Sequence, residues 1–180
     1  MSSKARAYAE QARADFDAYV ASGESDERVL GEHHRLQLLQ MAVEKACKAY
    51  LYHAEPNGRY SHHVALAAIN SLRSHAIAEA AGMNFSVFVR LLHAAKPILL
   101  LIEAASPSVG FDGRGLTRDE SERTANVEYP WQTDQDDAAS WVAPASQSFS
   151  IVRNLRYDRR SVAAVGLLDR VIDAALTLFN

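Results

Sequence analysis

Cysteine is nearly absent from this 180-residue sequence, and the single one, Cys47, excludes a disulfide within the chain. Because Cys47 falls in an apolar helical stretch, we expect a buried and unreactive thiol. The N-terminal residues lack the apolar run of a secretory signal, and the longest apolar window, around 97–102, is too short to cross a bilayer. These absences predict a soluble, cytoplasmic protein without a membrane segment.

Motifs that hold metals and cofactors are absent as well. The seven histidines form neither HExxH nor the Glu-x-x-His of di-iron bundles, and His75 with Glu79 makes only an isolated pair. A glycine-rich phosphate loop is also missing. We therefore expect no metal and no cofactor. The formal net charge of −3 excludes generic nucleic-acid binding, so any such role needs a local basic patch.

Helical periodicity is what the sequence does contain. Apolar residues recur at spacings of three and four, as in the series Leu36, Leu39, Val43, Ala46 and Tyr50. The pattern predicts an all-α fold, a bundle of five to six helices in a single domain covering residues 1–180. The predicted helices cover about residues 3–21, 25–53, 61–82, 84–102, 148–157 and 159–179.

Several residues mark the predicted helix ends. Ser25, Ser61 and Asn84 are expected to cap the second, third and fourth helices, and Gly82 to end the third. Pro97 should kink or split the fourth helix because it has no N–H donor. In the third helix four residues are expected to face inward: Leu66, Ile69, Leu72 and Ala76.

Residues 106–147 differ from the rest of the chain and predict a long irregular excursion from the bundle. They hold eight acidic residues against three arginines and show no strand-like alternation. The aromatic residues of NVEYPW, 126–131, together with Trp141, indicate that part of this segment is ordered. Glu128 and Tyr129 could close a pocket over the bundle, or the aromatic residues could simply pin a loop.

A charged trio, Glu44, Lys45 and Lys48, stands in the otherwise apolar second helix. Glu44 and Lys48 have the i, i+4 spacing that supports an ion pair. The trio lies to one side of the apolar series, which leaves two interpretations open. It forms a helix flank that pairs with neighbouring helices or solvent, or it forms the charged wall of a ligand or partner groove.

The second helix and the start of the third resemble the HEPN superfamily. The matching residues are Ala42, Glu44, Lys45, Lys48, Ala49 and Leu51, followed by Ser61 with His62 or His63. The resemblance covers about residues 5–80. It implies an α-helical bundle that forms a homodimer and works with RNA or nucleotides, as a ribonuclease, in phage defence or toxin–antitoxin systems, or as the partner of a nucleotidyltransferase.

Catalytic members of that superfamily carry an Arg-x4-6-His motif near the start of a late helix, and this sequence departs from the pattern. Residues 148–179 contain five arginines and no histidine. The match in the chain is Arg28 with His33 or His34, placed at the predicted start of the second helix. Arginine can neutralise a phosphate and histidine can move a proton near neutral pH. An atypical, metal-independent endoribonuclease site at these residues is therefore one alternative.

Arg153, Arg156 and Arg160 step by three and four and predict a basic stripe on a late helix. With Glu128 and Tyr129 they make the candidate surface for RNA or phosphate, although a solvated face or pairing with the acidic excursion would explain them as well. The leading expectation is a HEPN-like module linked to RNA or nucleotide processing that is not a typical ribonuclease. The second alternative is a structural protein whose groove takes a helix of a partner.

Overall fold

Strong helix formers, alanine and leucine above all, build the bundle of the computed structural model. The structure describes residues 3–24, 31–60, 64–103, 131–133, 140–142, 155 and 158–179. Within them lie α1 (Lys4–Glu24), α2 (Glu32–Ala54), α3 (Ala65–Ser71), α4 (His75–Ala80), α5 (Phe85–Glu103), β1 (Trp131–Thr133), β2 (Ser140–Val142) and α6 (Arg159–Leu178). The predicted all-α bundle of five to six helices is confirmed.

Helix α2 lies at the centre of the bundle and packs against α1, α3, α5 and α6. Its predicted apolar series is buried throughout: Leu36, Leu39, Val43, Ala46 and Tyr50. Full burial of a leucine or valine side chain contributes about 1.5–3 kcal/mol of hydrophobic stabilisation. Because α2 is surrounded on several sides, polar residues at these interfaces need partners within the bundle.

Helix α1 packs along α2 through a stripe of small residues. Ala5, Ala9 and Ala12 are buried, with Phe16 one turn further on. This spacing of four, three and four keeps the stripe on one face of the helix. Since alanine side chains end at Cβ, the two helix axes can approach closely.

Three predicted helix boundaries are wrong. The third helix begins at Ala65 with Val64 as its N-cap, rather than at Ser61, which lies outside the described residues. Gly31 is the N-cap of α2, with extended backbone at φ −61° and ψ 157°, so the helix begins at Glu32 rather than near Ser25. The third helix is in fact two short ones, α3 and α4, because Ser74 is extended at φ −133° and ψ 140°. The set of inward-facing side chains is also only partly as predicted. Leu66 and Ala76 are exposed, while Ile69 and Leu72 are buried as expected.

The turn from α4 to α5 follows the predicted chemistry. Gly82 has a φ of +67°, a left-handed conformation that suits glycine. The N–H groups of Gly82 and Met83 donate to the carbonyls of Glu79 and Ala78, which ends α4. Asn84 Oδ1 then accepts from the Ser86 N–H at 3.0 Å, so Asn84 caps α5 as expected.

Pro97 does not split α5, which continues through it to Glu103. The window Phe85–Ile102 has a mean hydropathy of 1.8, so this helix is long and apolar enough to cross a membrane by length and composition, and the estimate of 97–102 was too short. Phe88, Leu92 and Leu99 from this window are buried in the core. A core helix passes the same test, which makes it weak evidence for membrane insertion.

The excursion at 106–147 contains regular structure that the sequence pattern did not reveal. Strands β1 and β2 pair antiparallel, with Trp131 opposite Val142 and Gln132 opposite Trp141. Three residues per strand are too few to produce a recognisable alternation, which is why none was predicted. Of the predicted helix at 148–157, only Leu155 lies among the described residues, and it is helical and buried.

Candidate functional site

The predicted site residues divide into those that the structure describes and those outside it. The described ones are His33, His34, Glu44, Lys45, Lys48 and Arg160. The ones that lie outside the described residues are Arg28, His62, His63, Glu128, Tyr129, Arg153 and Arg156.

Glu44 and Lys48 form an ion pair within α2. Lys48 Nζ donates to Glu44 Oε1 at 2.6 Å, and the two side chains are only 10% and 13% exposed. Gln40, which is buried, donates from Nε2 to the other oxygen of Glu44, Oε2, at 3.3 Å. Three residues one turn apart thus form a hydrogen-bonded ladder along the side of α2.

Lys45 joins α2 to α1. Its Nζ donates to Asp15 Oδ2 at 2.9 Å, and the Asp15 side chain is 8% exposed. Gln11 donates to the other Asp15 oxygen at 3.0 Å. The trio is therefore engaged in a polar layer at the interface of α1 and α2, with two negative and two positive side chains. This arrangement agrees with the interpretation of a helix flank that pairs with a neighbouring helix.

An aromatic cluster, which the sequence did not predict, lies one turn beyond this polar layer. Tyr8 stacks on Tyr52 with ring centroids 5.2 Å apart, and Tyr60 meets Tyr52 edge-on at 5.0 Å. The Lys4 ammonium lies 3.6 Å from the Tyr52 ring centroid, and that of Lys48 lies 6.0 Å from the Tyr8 ring. Lys4 is exposed and Lys48 is buried, so the cation–π contact lies at the surface for Lys4 and in the interior for Lys48.

His33 and His34, at the start of α2, have ring centroids 3.9 Å apart. Burial, and then the neighbouring His34, lower the pKa of His33. The His33 imidazole is consequently neutral near pH 7 and able to accept a proton. Arg28, the residue paired with it by sequence spacing, is not among the described residues.

Arg160 lies in the first turn of α6 and is exposed, as is Arg159 beside it. Asp158 caps this helix, and its carboxylate accepts from both the N–H and the hydroxyl of Ser161 at 2.9 Å. Ser161 is buried, which fixes the first turn against the core. Arg160, the described member of the predicted basic stripe, therefore projects from a well-anchored helix start.

A second basic surface appears on α5 and was missed by sequence reasoning. Arg73, in the turn between α3 and α4, lies with Nη2 2.8 Å from Nε2 of His93 in α5. Arg90 and Lys96 stand three residues before and after His93. The regular spacing of Arg90, His93 and Lys96 was visible in the sequence, but the approach of Arg73 depends on the break between α3 and α4.

The interior offers no obvious ligand site among the described residues. A cavity of about 20 Å³ lies between α2, α5 and α6, lined by apolar side chains such as Val43, Leu92 and Leu168. It has room for about one water molecule but lacks the polar partners that would hold it. In the same part of the chain no three His, Cys, Asp or Glu side chains come together in a metal-binding arrangement.

Comparison with known proteins gives no relative. No family model matches the chain, and neither a curated protein nor a solved structure matches it.

Proposed function

We propose that this chain is a HEPN-like helical module linked to RNA or nucleotide processing, acting in the cytoplasm as a homodimer within a defence or toxin–antitoxin type system. The absence of an Arg-x4-6-His motif from the late helices argues against the usual ribonuclease chemistry of such modules. The central position of the signature helix, α2, in an all-α bundle supports this assignment. A nucleotidyltransferase is the kind of protein partner that the resemblance suggests.

The observation that carries the proposal is a set of exposed arginines that form no ion pair with a carboxylate of the described residues, although Arg160 interacts electrostatically with Asp158. Among the residues that the structure describes, the ion pairs engage arginines of α1, Arg6 and Arg13. None of those pairs includes Arg73, Arg90, Arg159, Arg160 or Arg170, all of which are exposed. Arg59, on the loop after α2, is also exposed and unpaired among the described residues, but it lies outside both basic surfaces. In a chain of net charge −3 these groups provide local positive surfaces for phosphates.

A gel-shift and cleavage assay against total tRNA tests the proposal. We expect binding that weakens as salt increases, because each neutralised phosphate releases counterions, and tRNA that stays intact. Arg156→Ala and Arg160→Ala should each weaken binding, whereas Arg59→Ala, an exposed arginine on the loop after α2, serves as the charge-matched control. Absence of salt-sensitive binding, with no effect of Arg156→Ala, would refute the proposal.

A second candidate function is binding of a partner helix, and the exposed side of α5 favours it. Val87 and Leu101 are 38% and 44% exposed on a helix whose other face enters the core. Co-purification from the native host tests this candidate, with Leu101→Ser as the variant that should release the partner.

Light scattering tests the proposed homodimer. A measured mass twice that of the chain would support it, and the mass of a monomer would remove every site that needs two protomers.

The third candidate is the endoribonuclease site of Arg28 with His33 or His34. The lowered pKa of His33 favours it, since a neutral imidazole can take the proton of a ribose 2′-OH. Cleavage should be lost in Arg28→Ala and also in the His33→Ala/His34→Ala double variant, while circular dichroism shows an intact fold. Cleavage retained by either variant rules this site out.

A further inference from the structure

The contact between Arg73 and His93 joins two elements that are distant in sequence. Arg73 belongs to the turn that follows α3, and His93 lies in the middle of α5, with Nη2 and Nε2 2.8 Å apart. Both side chains are exposed. No carboxylate of a described residue takes part, which sets Arg73 apart from Arg13, whose guanidinium meets Asp17, Asp169 and Asp173.

The chemistry of the two groups fixes their roles. A guanidinium only donates hydrogen bonds and stays charged, so Nε2 of His93 must accept and the ring proton must lie on Nδ1. A neutral imidazole does not cancel the positive charge of Arg73. The remaining N–H groups of Arg73 therefore form a charged, oriented donor set at the surface.

Arg90 and Lys96 extend this charge along α5. At three-residue steps, Arg90, His93 and Lys96 fall within an arc of about 120° and span about 9 Å of the helix axis. Arg90 is exposed and Lys96 half-buried, and neither takes part in an ion pair between described residues. Three cations around one histidine make a local basic surface in an acidic protein.

We infer that Arg73, held by His93 and flanked by Arg90 and Lys96, binds a phosphate group, either of a free nucleotide or of an RNA backbone. Arg73 donates two N–H groups to two phosphate oxygens in a fork, while His93 keeps the guanidinium plane fixed. His93 is thus a positioning residue, and Arg90 and Lys96 add attraction. The inference rests on the proposed function, but it assigns the phosphate to a surface other than the Arg153–Arg156–Arg160 stripe.

Fluorescence anisotropy with a 5′-labelled oligoribonucleotide, with ATP and inorganic phosphate as competitors, tests this site on the full chain. Arg73→Gln should weaken RNA binding about tenfold at low salt and lower the slope of log affinity against log salt by about one. Arg59→Gln removes an equal charge elsewhere and should leave binding nearly unchanged. If ATP displaces the RNA from the unaltered protein but not from Arg73→Gln, the site binds free nucleotides. If ATP does not displace the RNA from the unaltered protein, the site binds the RNA backbone.

The role of His93 has its own test. His93→Leu should weaken binding because Arg73 loses its acceptor, whereas His93→Gln should restore it, since the glutamine Oε1 can accept from the guanidinium. Equal losses in both variants would overturn the positioning role. Wild-type affinity of Arg73→Gln, with weakened binding of Arg160→Gln, overturns the site and leaves the proposed function intact. Failure of the unaltered protein to bind RNA, ATP or phosphate overturns both.

Discussion

Asp15 of α1 and Lys45 of α2 form an ion pair at the interface of the two helices. Lys45→Met removes the cation and leaves the Asp15 carboxylate, whose side chain is 8% exposed, with only the Gln11 amide as a hydrogen-bond donor from the same layer. An uncompensated buried charge is costly, so we expect the free energy of unfolding to fall by about 2–3 kcal/mol. Urea denaturation followed by circular dichroism measures the loss.

The double variant Asp15→Leu/Lys45→Met is the matched control. Replacing both charges by apolar side chains of similar size removes the unpaired carboxylate, and most of the lost stability should return. Together with the Asp15→Leu single variant, these proteins complete a double-mutant cycle that gives the coupling of the pair. A loss below about 0.5 kcal/mol in Lys45→Met would contradict a structural role, since that is the range of surface substitutions.

Tyr50 provides a second prediction at this scale. Its hydroxyl donates to the carbonyl of Val171 at 2.7 Å, which ties α2 to α6 in a buried contact. Tyr50→Phe keeps the ring and removes the hydrogen bond, so the free energy of unfolding should fall by about 1–1.5 kcal/mol. Chemical denaturation at pH 7 checks the value, and an unchanged midpoint would show that the contact contributes nothing.

The buried hydroxyl of Tyr50 also predicts that stability depends on pH. Burial, with a smaller contribution from Cys47, raises the pKa of Tyr50 above its usual range. The unfolded chain releases this proton from about pH 10 upward while the folded chain keeps it, so stability is complete below that pH and falls as pH rises. Tyr50→Phe should therefore lose less stability than the unaltered protein between about pH 9 and 11. Equal losses in the two proteins would contradict the prediction.

Among the elements, α6 depends on its N-terminal cap. Hydrogen bonds from the Ser161 N–H and hydroxyl lower the pKa of Asp158. The ionised cap thus stabilises α6 above the usual carboxyl range near pH 4, and this contribution is lost as pH falls through the lowered pKa. Asp158→Ala should lower the Tm at pH 7 by about 2–4 °C, because the orphan N–H groups of the first turn lose their acceptor.

Asp158→Asn separates the cap from its charge. Asparagine accepts the same hydrogen bonds without titrating, so this variant should keep most of the Tm at pH 7 and lose less than the unaltered protein between about pH 5 and pH 3. Thermal melts at pH 7, pH 5 and pH 3 give the comparison. If Asp158→Ala and Asp158→Asn melted alike at pH 7, the cap would have no role.

The elements also show why sequence predicted some features and not others. Helical faces followed from spacing because a stripe such as Leu36, Leu39 and Val43 repeats over several turns. The break between α3 and α4 did not follow from spacing, because it depends on the extended backbone of one residue, Ser74. Contacts such as Lys45 with Asp15 lie outside any spacing rule, because the partners are 30 residues apart and meet only when α1 packs on α2.

For the molecule as a whole, the terminal helices are joined to each other. Arg13 of α1 donates to Asp169 and Asp173 of α6 at 2.7 and 3.1 Å, and Arg6 donates to the Leu176 carbonyl. The exposed aspartates make these ion pairs weak individually. The larger effect comes from one continuous apolar core that includes residues of each helix from α1 to α6. A core shared in this way favours a single cooperative unfolding transition.

The two tryptophans test whether residues 106–147 belong to that transition. Both lie in the short strands, Trp131 in β1 and Trp141 in β2, so tryptophan fluorescence reports on this segment while circular dichroism at 222 nm reports on the helices. A single domain predicts coincident urea midpoints for the two signals. Lys45→Met, which acts at the interface of α1 and α2, should then lower both midpoints equally. A fluorescence midpoint that stays fixed while the helical one falls would show that the strands unfold independently and that the chain is not one cooperative unit.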